Sequence, residues 1–138
     1  MGAAGDAKLA AAIAEATAKE VSATGIDWIF APTVAVALDA RWGRTYESYG
    51  SDPRLAGDFA GGIVEAMQDV GVLATAKHFV GDGGTFRGID QGDTRLDKDS
   101  LLSIHGQDIT QRLQRACSRS WPLSIAGMAT RSTVIASC

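Results

Sequence analysis

Little in this sequence is in excess, and several things are scarce. Its 138 residues hold 2 cysteines, Cys117 and Cys138. One widely spaced pair is neither a disulfide framework nor a metal-ligand spacing, so no metal and no cofactor are expected. No apolar run approaches the ~18 residues that mark a membrane span. Basic residues are not in surplus either. The formal net charge is −3, which removes the electrostatic footprint of a nucleic-acid binder. The first residues lack a basic n-region and an unbroken apolar stretch, so no signal peptide is expected within the chain. Asp6 spoils an N-myristoylation pattern, and the compartment stays open.

What is present suffices for one domain with a core of its own: 46% of residues are hydrophobic and 21% charged, ordinary values for a globular chain. From Asp6 to about Ala23, Leu9, Ile13, Ala16 or Thr17, Glu20 and Val21 recur at helical spacing, with Asp6 as N-cap and Gly25 as the stop. Ile26–Ala31 reads as a strand closed by Pro32. Ser51-Asp52-Pro53 starts a second helix through Leu55, Phe59, Ile63 and Met67, which Gly71 ends. Val72–Ala76 is an apolar run of buried-strand type. Asp97 and Ser100 open a third helix through Leu101, Leu102 and His105, which Ile109, Leu113 and Ala116 extend. Such alternation predicts an α/β fold of parallel strands with crossover helices. Beyond Ala116 no clean period remains, although Thr133–Ala136 suits a short strand.

Two loops follow the two strands, and both are loaded. The first carries Asp39, Arg41, Trp42, Arg44, Glu47 and Tyr49. The second begins at Lys77-His78 and continues through a glycine-rich stretch with Asp82, Arg87, Asp90 and Asp93. In a parallel fold both emerge at one end of the sheet. Aromatic rings beside arginine, lysine, histidine and carboxylates suit a ligand rich in hydroxyls. The residues alone also fit a strand-end lysine snorkelling beside a satisfied histidine. Phosphate or nucleotide binding finds no support, since the loop is acidic and has neither GK[ST] nor G-x-G-x-x-G between strand and helix.

The strings Asp39-Ala40-Arg41-Trp42-Gly43-Arg44-Thr45-Tyr46-Glu47-Ser48-Tyr49 and Ala76-Lys77-His78-Phe79-Val80-Gly81-Asp82-Gly83-Gly84-Thr85, in that order, resemble glycoside hydrolase family 3, which includes β-glucosidases and exo-β-glucanases. The resemblance covers about residues 2–106. It implies part of a (β/α)8 (TIM-type) barrel and a retaining O-glycosyl hydrolase acting on β-linked glucosyl saccharides or glucosides. It also implies that Arg44, Lys77 and His78 hold sugar hydroxyls, with non-prolyl cis peptides near the pair. Asp39, Glu47 and Tyr49 fall to a supporting shell, Asp39 orienting Arg44 or its loop. Trp42 and Arg41 are read as structural, Asp82 as a turn-shaping carboxylate, and Arg87, Asp90 and Asp93 as solvated charges. His105 is read as a packed, satisfied side chain.

The resemblance implies more than the chain contains. A retaining glycosidase needs a nucleophile and a general acid/base about 5–5.5 Å apart. The family's apolar-Ser-Asp-Trp type nucleophile motif is absent, since Ser51-Asp52 only starts a helix. No catalytic residue is therefore assigned, and the alternative reading is a non-catalytic carbohydrate-binding α/β fragment. Residues 1–106 carry −6 of formal charge and residues 107–138 carry +3. The expected organisation is thus a partial barrel domain over 1–106 and an atypical tail over 107–138, produced by truncation and a change of reading frame after about Gly106.

Overall fold

The computed structural model describes residues 1–117, 123–126 and 133–136. Helix α1 spans Ala7–Ala23, and the Asp6 carboxylate caps it by accepting from the Leu9 amide at 3.0 Å. Helix α2 spans Pro53–Asp69, with Asp52 accepting from the Arg54 amide at 2.9 Å. Gly25 and Gly71 follow the two helices at φ of 84° and 91°, a left-handed geometry that a side chain resists.

The buried face of α1 is not the expected stripe. Ala10, Ala14 and Ala18 are buried, while Leu9 and Ile13 stay 49% and 44% exposed. Small residues win that face because α1 packs directly on α2. A methyl group at Gly62 of α2 would already sit 3.7 Å from Ala11 Cβ. On α2 the expected i, i+4 row does enter the core: Phe59, Ile63 and Met67 are buried together with Ala56, Ala60 and Val64.

Helix α3 (Lys98–His105) is capped by Asp97, which accepts from the amides of Asp99 and Ser100. The chain breaks at Gly106, so the next turns form a separate helix, α4 (Gln107–Cys117), instead of an extension. Ile109, Leu113 and Ala116 of α4 are buried, α4 packs on α2, and Arg112 pairs with Asp58 across that contact.

Strand β1 (Thr75–Lys77) continues the expected apolar run. The expected strand at Ile26–Ala31 lies parallel beside it but is not a regular strand. Isolated bridges join it and the residues after it to β1's line at Trp28–Leu73 and Thr33–Lys77. The carbonyls of Ala31 and Pro32 accept from the amides of Thr75 and Lys77, at 2.9 and 3.0 Å. Two consecutive carbonyls turned to the same neighbour break the alternation that a regular ladder needs. β1 pairs in parallel with β2 (Leu123–Ala126), and β2 pairs antiparallel with β3 (Thr133–Ala136).

The last pairing corrects the all-parallel expectation. Residues 127–132 between β2 and β3 are too few for a crossover helix, which a parallel return requires. The strand at Thr133–Ala136 lies where the sequence puts it. The described strands form an open sheet in the order β1-β2-β3, and no closed barrel exists among the described residues. Arg119, Arg131 and Cys138 of the tail lie outside them. One buried cluster forms the core, joining Val34, Val36, Val72, Ala74 and Ala76 to the buried residues of α1, α2 and α4. No helix among the described residues is long and apolar enough to cross a membrane.

Candidate functional site

The two loaded loops are joined at their backbones. The amides of Leu38 and Asp39 donate to the Gly83 carbonyl at 2.8 and 3.3 Å. Gly83 sits at φ 89°, and a Cβ there would come within 2.6 Å of the Val36 carbonyl oxygen. Left-handed backbone costs an L residue about 1–2 kcal/mol and forced overpacking about 1–3. Gly83→Ala is therefore expected to lower stability by about 2–4 kcal/mol, read as a fall in the urea midpoint without change in slope.

With the loops zipped, Arg44 and His78 meet. Arg44 stands at the start of a short 3-10 turn, Thr45–Glu47. Its Nε and Nη2 donate to the two carboxylate oxygens of Glu47 at 2.7 and 2.8 Å. Its Nη1 lies 3.0 Å from His78 Nε2. The bidentate geometry fixes the guanidinium plane. Hydrogen bonding from Arg44 holds the Glu47 carboxyl below the usual carboxylate range against the opposing effect of desolvation, with smaller help from the charges of Arg44 and Lys77. Thr33 Oγ1 also reaches Glu47, at 3.4 Å.

Lys77 ends β1 and is half-buried. Its own amide and carbonyl are tied to Pro32 and Val34, so the residue is fixed at its backbone while its ammonium acts on Glu47 through space. The peptide bonds Lys77–His78 and Phe79–Val80 are cis, and so is Ala31–Pro32. His78 is buried at 7% exposure, and its Nδ1 lies 2.9 Å from Asp82 Oδ2. That contact is short but off the ring's N–H direction, and neither atom completes an aligned hydrogen bond within the protein. We read it as an electrostatic contact.

Arg44, Lys77, His78 and Glu47 are thus brought to one edge of the sheet. The other two shell residues are placed elsewhere. Asp39 pairs with Arg41 and not Arg44, accepting from Arg41 Nε and Nη2 at 2.9 and 2.6 Å. Those hydrogen bonds, with the Arg41 amide, pull the Asp39 carboxyl down to about 2. Asp39 still shapes the loop, because its carbonyl accepts from the Trp42 amide. Tyr49 turns away from the cluster and stacks on Phe59 of α2, with centroids 4.7 Å apart. Burial pushes its hydroxyl up to about 12.

Two residues carry more than their sequence reading. Asp90 is exposed, as expected of a solvated charge, and one of its oxygens also accepts from the indole Nε1 of buried Trp42 at 3.1 Å. Asp82 is buried under His78 instead of merely shaping a turn. The glycines around Asp82 mark a tight turn, but nothing in their spacing says that the carboxylate faces inward. His105 is buried, and desolvation lowers its imidazole pKa while the Asp82 charge opposes this. Its Nε2 has no partner, so the ring is packed but not satisfied. Among the described residues no group of three or more His, Cys, Asp or Glu is placed to hold a metal.

The model of the glycosyl hydrolase family 3 N terminal domain matches residues 1–117. A curated β-xylosidase of Formosa agariphila is 37% identical over 102 residues, which are 67% of this chain and 14% of that protein. The crystal structure of an exo-1,3/1,4-β-glucanase (ExoP) from a Pseudoalteromonas species superposes with a TM-score of 0.77 at 51% identity, over 82% of this chain and 15% of that one. A β-glucosidase from Listeria innocua in complex with glucose gives 0.78 at 25% identity, over 83% of this chain and 17% of its own. The chain therefore spans 14–17% of the length of these relatives.

Proposed function

The chain belongs to glycosyl hydrolase family 3, and on that premise we propose that it is the part of a β-glucoside-hydrolysing (β/α)8 barrel that holds a glucosyl unit, without the groups that cleave the bond. Arg44, Lys77 and His78 grip the sugar hydroxyls, Glu47 fixes the plane of Arg44, and the ligand is a β-linked glucosyl saccharide or glucoside. The observation that carries this reading is the meeting of Arg44 Nη1 and His78 Nε2 at 3.0 Å, beside Lys77. Residues from two loops thereby become one charged, donor-rich edge, and charged donors make the strongest hydrogen bonds to hydroxyls.

The carboxylates of the same loops support the absence of catalysis. Retaining hydrolysis needs one carboxylate open to attack carbon and a second able to protonate the leaving oxygen. Glu47 is held bidentate by Arg44 and Asp39 by Arg41, one Asp90 oxygen accepts from the Trp42 indole, and Asp82 lies buried beneath His78. Glu47 and Asp39 thus have both oxygens committed to an arginine, and Asp82 is closed off from solvent.

The purified 138-residue chain is accordingly expected to release no nitrophenol from an aryl β-glucoside above a heat-treated control. Heat-labile release that rises with protein concentration, and persists after a second purification, contradicts the reading.

A further inference from the structure

We propose that Asp82 is a positioning residue for the Arg44–His78 edge: it holds the His78 ring as the tautomer protonated on Nδ1, which keeps Nε2 as an acceptor for Arg44. A guanidinium can only donate. With Arg44 Nη1 at 3.0 Å, His78 Nε2 must supply a lone pair, so the proton of the neutral ring sits on Nδ1. That is the nitrogen 2.9 Å from Asp82 Oδ2.

The alternatives are each worse on charge. A ring protonated on Nε2 turns an N–H toward the guanidinium and a lone pair toward a carboxylate. A doubly protonated ring sets a second cation against Arg44. Both His78 and Asp82 are more than nine-tenths buried, where a mismatched donor or acceptor is costly because water does not screen it. The ring nitrogen that is not engaged by a ligand or partner is commonly set by a carboxylate in this way.

The surroundings are built for that role. Asp82 sits between Gly81 and Gly83, at φ of 100° and 89°, and Thr94 Oγ1 donates to the Gly81 carbonyl at 2.7 Å to close the turn. A cavity of about 10 Å³ lies against the pair, lined among others by His78, Asp82, Thr85 and Thr94. The Thr85 hydroxyl, both Asp82 oxygens and His78 Nδ1 have no partner in the protein. That volume is at the lower bound for one water, and these atoms supply the two to four polar contacts that a bridging water makes. Such a bridge completes the off-line Nδ1–Asp82 contact without changing the tautomer.

The functional half of this inference rests on Arg44 and His78 holding sugar; the tautomer does not. Two-bond proton–nitrogen NMR spectra of the chain near neutral pH test it, with His78 assigned by the signals lost in His78→Gln. The wild-type ring is expected neutral and protonated on Nδ1. Asp82→Asn is expected to move the proton population toward Nε2 and to weaken glucose binding about tenfold. A wild-type ring protonated on Nε2, or on both nitrogens, overturns the proposal, and so does a ring unchanged by Asp82→Asn. Should that variant fail to fold, the wild-type pattern decides alone. If the ring behaves as expected and the wild-type chain binds no glucose, positioning stands and the sugar-holding reading falls.

Discussion

Arg44→Met is expected to abolish measurable glucose binding while leaving the helices intact. Arg44 is held on one side by Glu47 and on the other by His78, so its remaining reach is directed and not random. Hydrogen bonds from a charged donor contribute about 1.5–3 kcal/mol each. Losing the residue at this edge should therefore cost about 3 kcal/mol of binding, which is roughly a hundredfold in affinity. A complex on the order of millimolar in the wild type then becomes undetectable. The substitution also leaves the half-buried Glu47 carboxylate without its two hydrogen bonds from Arg44, only the longer one from Thr33 remaining, so a modest loss of stability accompanies it. The two effects separate in measurement. Circular dichroism and urea unfolding report the second, and titration followed by tryptophan fluorescence reports the first. A variant that loses stability but binds glucose within twofold of wild type makes Arg44 a clamp for its loop and not a sugar ligand.

Phe59→Ala carries the largest expected effect on stability. Phe59 is 1% exposed in the middle of α2 and stacks on Tyr49. Truncating a buried phenylalanine costs about 3–5 kcal/mol through lost burial and the cavity left behind. A domain of this size has about 5–15 kcal/mol in all, so the urea midpoint should fall by about a fifth or more. Tyr49 gives a local readout of the same change. Its ionisation is pushed up to about 12 by burial, and it should move back toward the ordinary tyrosine value near ~10 once the ring it stacks on is gone. Because Tyr49 anchors the end of the loop that carries Arg44 and Glu47, glucose affinity should fall as well. A stability change below about 1 kcal/mol, with Tyr49 ionisation unmoved, would place the core elsewhere.

The helices were readable because their signals are local. Asp6, Asp52 and Asp97 cap through their own carboxylates, and Gly25 and Gly71 supply the left-handed stops. The buried face of α1 was not readable in the same way. Leu9 and Ile13 have the greater hydrophobicity, but the close approach of α1 to α2 selects Ala10, Ala14 and Ala18, a choice made by a neighbour that periodicity does not see. The irregular run beside β1 and the antiparallel β3 likewise depend on which carbonyls face a neighbour and how short a connection is.

At the candidate site, the two motifs single out Arg44, Lys77 and His78, and the structure brings Arg44 and His78 together. The pairing within them was not identifiable, because one carboxylate among several takes each cation. Glu47, three residues along a 3-10 turn, reaches Arg44, whereas Asp39 is captured by the nearer Arg41. Asp82 was hidden for a different reason. Flanking glycines announce a turn whether its aspartate points out to water or in beneath a histidine.

Calorimetric titration of glucose into the purified chain, alongside Arg44→Met and with the aryl β-glucoside assay on the same preparation, tests the central claim most directly. The expected result is saturable binding in the wild type, none in the variant, and no hydrolysis by either. Hydrolysis by the wild-type chain, or glucose binding equal in the two proteins, contradicts the account.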